Sequence, residues 1–176
     1  MKKLTLRRLV LTALFTALSC VATLVIQIPS PTNGYFNLGD CFVMLGAFVL
    51  GPWLGGFAGG VGSMIADLIS YPMYAPATLV IKALMAILGG LLFRVMEKRG
   101  RNITGEILGA LCGEVVMMAG YFTFEAFLYA PASALSSLLL TTLPQAGVGF
   151  AAVIALCVLL EKAHLMQKLR GGVLHA

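Results

Sequence analysis

Apolar runs about as long as a bilayer is thick, separated by turns and by clusters of Lys and Arg, recur along the whole sequence. A helix needs roughly 20 consecutive apolar residues to cross the hydrocarbon core, since each residue advances it by only ~1.5 Å. The runs are continuous rather than alternating with period two, so they suit helices and not the strands of a membrane barrel. Of the 176 residues, 60% are hydrophobic and 11% charged. A mean hydropathy of +0.97 lies outside the range of soluble globular domains. About 20 residues per span leaves room for about six helices with short connections and none for a separate soluble domain. The expectation is an all-α integral membrane protein, one six-helix domain over residues 1–176.

A net charge of +5 would suggest nucleic acid in a soluble protein, but here the basic residues carry topology. Lys2, Lys3, Arg7 and Arg8 precede the first run; Arg94, Lys98, Arg99 and Arg101 fall in a middle connection; Lys162, Lys168 and Arg170 follow the last. With an even number of spans all three clusters share one side, and the positive-inside rule makes that side cytoplasmic, together with both termini. The expected spans are residues 5–27, 38–50, 54–70, 77–95, 104–128 and 143–161, with residues 130–140 as a partly helical outer connection. Thr141, Thr142 and Pro144 look like the cap and first turn of the sixth helix. Ala17 to Cys20 faintly resembles a lipoprotein cleavage site, yet the apolar run continues past it, so the first helix is expected to be retained.

One cation escapes the clusters: Lys82 lies inside the fourth span. An uncompensated charge at mid-membrane costs about 2.5–3.5 kcal/mol on insertion scales, so such a residue has a partner or a task. Placing the other polar residues by their depth brings Asp40, Asp67, Lys82, Glu125 and Gln145 to the outer half, with Glu114 deeper. Glu114, Met118, Tyr121 and Glu125 are spaced four, three and four residues apart, which keeps them on one helix face; Tyr74, Thr78 and Lys82 obey the same rule. The pattern also admits plainer readings. Asp40 and Gln145 suit helix ends, Lys82 and Glu114 suit an internal ion pair, and the tyrosines suit an interfacial belt. The glycines of the third span fit close helix packing, and Cys20, Cys41, Cys112 and Cys157 read as small core residues.

No catalytic set, Walker motif or metal spacing is present in the sequence, so binding is the better inference than chemistry, with no cofactor and no nucleic acid partner. A stand-alone proton-coupled secondary transporter could use the same groups, although no internal repeat supports it.

The segment IPSPTNGYFNLGDCFVMLGAFVLGPWLGGFAGGVGSMIADLIS, followed by YPMYAPATLVIKALMAILGG, resembles the substrate-binding S component of energy-coupling factor (ECF) vitamin transporters, in the riboflavin-type branch. The resemblance covers nearly the whole chain. It implies a prokaryotic cell-membrane subunit that binds a vitamin from outside and joins a T component and two cytoplasmic ATPases, which hydrolyse ATP in its stead. Residues 32–40 would act as a lid, and the pocket would draw on Asn33, Tyr35, Asn37, Asp40, Asp67, Tyr74, Thr78, Lys82, Glu114, Tyr121, Glu125 and Gln145. Ala13 and Ala17 form the AxxxA pair that the resemblance associates with docking to the T component. The number of acids favours a small ring rich in hydrogen-bonding groups, such as pyridoxine or a hydroxymethylpyrimidine, ahead of riboflavin or a queuosine precursor.

Overall fold

The computed structural model describes residues 6–29 and 35–174. Helix α1 (Leu6–Val25) leads through a two-residue strand, β1 (Ile28–Pro29), and its antiparallel partner β2 (Tyr35–Phe36) to α2 (Gly39–Leu50). Then follow α3 (Pro52–Ser70), α4 (Ala75–Glu97), α5 (Asn102–Leu128), the short α6 (Pro131–Ser137), a π-helical turn (Leu138–Thr142), α7 (Leu143–Lys162) and α8 (Leu165–Leu174). Asn33, and the part of the expected lid before Tyr35, lie outside the described residues.

The bundle is built around α2. Apart from Phe42 all of its residues are buried, and it packs against α1, α3, α4 and α7. Its sequence, GDCFVMLGAFVL, is apolar on every side, as a helix at the centre of a bundle must be. At ~1.5 Å per residue its 12 residues reach only about 18 Å, short of the ~30 Å hydrocarbon thickness. Four helical stretches are long and apolar enough to cross a membrane: α1, α4, α5 and the run Pro131–Lys162. Their outward faces carry exposed apolar side chains, among them Val10, Leu14, Val80, Leu91, Leu111, Val115 and Leu159, the surface that hydrocarbon would cover.

Small residues set the helix spacing, as expected for α3, where Gly55, Gly56, Gly59, Gly60 and Gly62 are all buried. The tightest reciprocal approach is between α4 and α5. A Cβ on Gly109 would lie 2.7 Å from the carbonyl oxygen of Gly89, and a Cβ on Gly89 would lie 2.6 Å from that of Gly109. Because backbone cannot swing aside as a side chain can, Gly109→Ala should cost about 1–3 kcal/mol through forced separation of the two helices. Thermal unfolding in detergent checks this, and an unchanged midpoint would show that the contact is not needed.

Several boundaries differ from expectation. α3 and α4 start earlier, at Pro52 and Ala75, because a proline within the first turn loses no hydrogen bond. Gly51, at φ 90°, makes the tight α2–α3 corner, and the Arg94 guanidinium occupies the space that a Cβ there would need. The segment expected to be a partly helical connection before a new helix at Thr141 is helical from Pro131 onward and runs continuously into α7. Pro144 has no N–H to give the ladder, and the π turn just before it, closed by Leu143 N–H to the Leu138 carbonyl, takes up the break.

Lys2 and Lys3 lie outside the described residues; among those described, Arg7 of the first cluster shares one end of the bundle with the middle and last clusters. Arg7 donates to the Lys168 carbonyl at 2.9 Å, joining α1 to α8. Arg170 reaches Glu97 of α4 at 3.4 Å and Glu106 of α5 at 3.0 Å, and its guanidinium lies 4.4 Å from the centre of the Phe93 ring. Lys82 is therefore not the lone buried cation: Arg170 is 8% exposed. Two carboxylates and an aromatic face from helices remote in sequence replace the water it would otherwise keep.

Candidate functional site

At the end opposite the basic clusters, β2 and the segment leading into α2, the residue before α4, the last turns of α5, the end of α6, the π turn and the start of α7 enclose a cavity of about 40 Å³. Its walls are Tyr35, Asn37, Tyr74, Met117, Tyr121, Glu125, Ser137, Thr141, Thr142 and Gln145. Hydroxyl, amide and carboxylate groups thus face an interior with one thioether and three phenol rings, a mixture suited to a ring that carries polar substituents. The π turn contributes directly. A widened turn lets the consecutive Thr141 and Thr142 both turn inward, 6% and 7% exposed, in line with Ser137 and Gln145.

Two hydrogen-bonded networks tie the β2 segment to the helices behind the wall. In the first, Tyr35 donates its hydroxyl to Asp67 on α3, whose other carboxylate oxygen accepts from Thr78 on α4; the Thr78 hydroxyl lies 2.9 Å from that of Tyr121 on α5. Burial, with the Asp67 charge beside it, raises the Tyr35 pKa and keeps that phenol a donor. In the second, the Asn37 backbone N–H donates to Gln145 Oε1 at 3.1 Å, and Gln145 Nε2 donates to Asp40 at 2.7 Å. Asp40 in turn forms an ion pair with Lys82. The Lys82 ammonium also lies 5.4 Å from the centre of the Tyr121 ring.

Of the residues singled out in the sequence, Tyr35, Asn37, Tyr74, Tyr121, Glu125 and Gln145 line the cavity. Asp40, Asp67, Thr78 and Lys82 stand behind it, engaged with one another or with lining residues. Glu114 lies deeper, 2% exposed; neither of its oxygens has a hydrogen-bond partner among the described residues. A Cβ on Gly149 would meet its Oε1 at 2.8 Å and the Asp40 Cβ at 3.1 Å, so Glu114 packs beside the ion pair. Glu125 is the one acid of the cavity wall, 3.4 Å from the Tyr74 hydroxyl. The inward face of α5 runs through Met117 rather than Met118.

Ser137, Thr141 and Thr142 were missed, along with Met117. Their signal was present: Ser137, Thr141 and Gln145 recur every four residues, the repeat of one helical face. Placing the start of the helix at Thr141–Pro144 cuts that repeat in two. Ala13 and Ala17 are exposed on α1, on the side away from Thr12, Phe15, Ser19 and Thr23, which face the bundle.

An all-helical bundle with an apolar coat and a polar-walled cavity at one end is the build of a multi-pass membrane protein that binds a small molecule. Residues 3–164 match the family described as ECF-type riboflavin transporter, S component, and the chain belongs to that family. Its members are the substrate-binding subunits of ECF vitamin importers, transport proteins rather than enzymes, which work with T and ATPase modules. The chain is also 42% identical over 117 residues, 66% of its own length and 76% of the relative's, to a Pyrococcus woesei protein described as "Uncharacterized protein in gap 3'region".

Proposed function

We propose that this subunit captures a small hydroxylated heteroaromatic vitamin or precursor, of the pyridoxine or hydroxymethylpyrimidine kind, from outside a prokaryotic cell membrane. In this reading the whole chain is one domain of six spans, α2 and α3 included, with both termini and all basic clusters cytoplasmic. The cavity then opens outward, under a lid that includes Tyr35 and Asn37. A dedicated or shared T component and two ATPases drive release to the inside.

The observation that carries the substrate class is the cavity wall itself. At about 40 Å³ the cavity is far smaller than the roughly 300–1,000 Å³ of ligand pockets, so a small ring suits it better than a large one and even a small ring needs the wall to give. Three phenols supply flat apolar contact, while Glu125, Asn37, Gln145 and the hydroxyls supply directed hydrogen bonds. Riboflavin is the second reading, favoured by the family description.

The test is titration of the purified full chain in detergent with pyridoxine, 4-amino-5-hydroxymethyl-2-methylpyrimidine and riboflavin, alongside mass spectrometry of any copurifying molecule. Tight binding of a small ring with riboflavin weaker by orders of magnitude is expected, and the reverse order would install riboflavin. Glu125→Ala should weaken the preferred ligand roughly 10- to 150-fold, the equivalent of about 1.5–3 kcal/mol for a hydrogen bond to a charged group. An unchanged Kd would remove Glu125 from the site. Failure to bind any of the three, with uptake by the chain alone under a proton gradient, would replace the proposal by a secondary transporter.

A further inference from the structure

The amide orientation of Gln145, in the cavity wall, is fixed by groups that cannot change roles. Its carbonyl oxygen accepts from the Asn37 backbone N–H at 3.1 Å and from Asn37 Nδ2 at 3.4 Å, which uses both lone pairs. Its Nε2 donates to Asp40 at 2.7 Å. A backbone N–H can only donate. Asp40, 0% exposed and paired through its other oxygen with Lys82, is held as an acceptor-only carboxylate. Turning the amide over would set N–H against N–H and carbonyl against carboxylate, losing all three bonds at once.

An amide NH2 has two hydrogens, and Asp40 takes one. We infer that Gln145 is a specificity-determining residue that offers the ligand one N–H donor and no acceptor, and that Asp40, secured by Lys82, is the positioning residue that fixes this polarity. The inference rests on the proposed heteroaromatic cargo and narrows it. The ligand atom opposite Gln145 is an acceptor, an unprotonated ring nitrogen or a carbonyl oxygen. Glu125 imposes the complementary demand, since a carboxylate accepts: the ligand presents a hydroxyl or amino donor there. A 4-aminopyrimidine carries both features, a ring nitrogen lone pair and an amino group. A protonated ring nitrogen at Gln145 would leave two donors facing each other in a buried site and be rejected.

The experiment compares 4-amino-5-hydroxymethyl-2-methylpyrimidine with its 1-deaza and 3-deaza analogues, in which C–H replaces one ring nitrogen, by titration calorimetry on the full chain in detergent. If riboflavin proves to be the ligand, its 1-deaza and 5-deaza analogues take their place. The wild-type chain should bind one of the two analogues at least about tenfold more weakly than the parent. In D40N/K82M the acceptor-only carboxylate is gone and Asn37 alone still orients the Gln145 amide, so that ratio should fall severalfold toward one. A merely structural role for the ion pair would weaken parent and analogue alike and leave the ratio unmoved. Gln145→Met, which removes the donor and leaves the Asp40–Lys82 ion pair in place, should abolish the ratio too and serves if the double variant fails to fold. Equal binding of parent and both analogues by the wild type, or a wild-type ratio in either variant, overturns the inference while leaving the proposed function standing. No binding of any parent compound overturns both.

Discussion

Lys82→Met alone should destabilise the folded chain by about 3–5 kcal/mol, the scale for removing one partner of a buried ion pair. Asp40 would be left fully buried, with Gln145 still donating to it and the carboxyl group of Glu114 packed close by. Neither neighbour can neutralise it, so the chain must bury an uncompensated charge, take up a proton or open a path to water. Removing both charges, as D40N/K82M, relieves that conflict. The double variant should lie within about 1 kcal/mol of wild type, because neutral groups of similar size often replace a buried ion pair at little cost. Unfolding titrations in mixed micelles measure all three proteins. Equal losses in the single and double variants would show that the pair is not energetically coupled and that Lys82 is held by its surroundings alone.

That ion pair also marks what the sequence could and could not reveal. A lysine within an apolar span announces that it has a partner; in the structure Asp40 pairs with it, Gln145 bonds Asp40, and Asp67 and Glu125 stand at the same end of the bundle. Which acid it takes depends on helix spacing and rotation, and those follow from the burial of α2 at the centre of the bundle. An apolar helix without a polar face gives no hint of its orientation, so Asp40 could not be preferred over Glu114 or Asp67 from periodicity. Arg170 is the counterpart at the other end. A basic residue in a polar tail reads as solvated, and only the approach of Glu97, Glu106 and Phe93 from α4 and α5 makes a buried place for it. The π turn was hidden for a local reason: Thr-Thr-Leu-Pro reads as a helix start, and here the helix had begun at Pro131.

Ala13→Trp and Ala17→Trp should each abolish transport by the assembled importer while leaving ligand affinity within about twofold of wild type. Both alanines are exposed on α1, whereas the bundle is met by Thr12, Phe15, Ser19 and Thr23, so an indole at either site extends outward and disturbs no internal packing. No residue of α1 lines the cavity, which separates the two readouts. Two small residues one helical turn apart let a second helix approach to backbone distance, and a side chain of indole size holds that helix off. In a membrane such packing is the main attraction between helices, because lipid tails solvate apolar side chains as well as a neighbouring helix does. The measurement is uptake of labelled ligand by vesicles containing the chain with its T component and ATPases, beside titration of the same variants alone. Uptake that survives both substitutions would move the docking surface off α1. Loss of affinity together with uptake would instead mean that α1 holds the cavity in shape through α2, against which it packs.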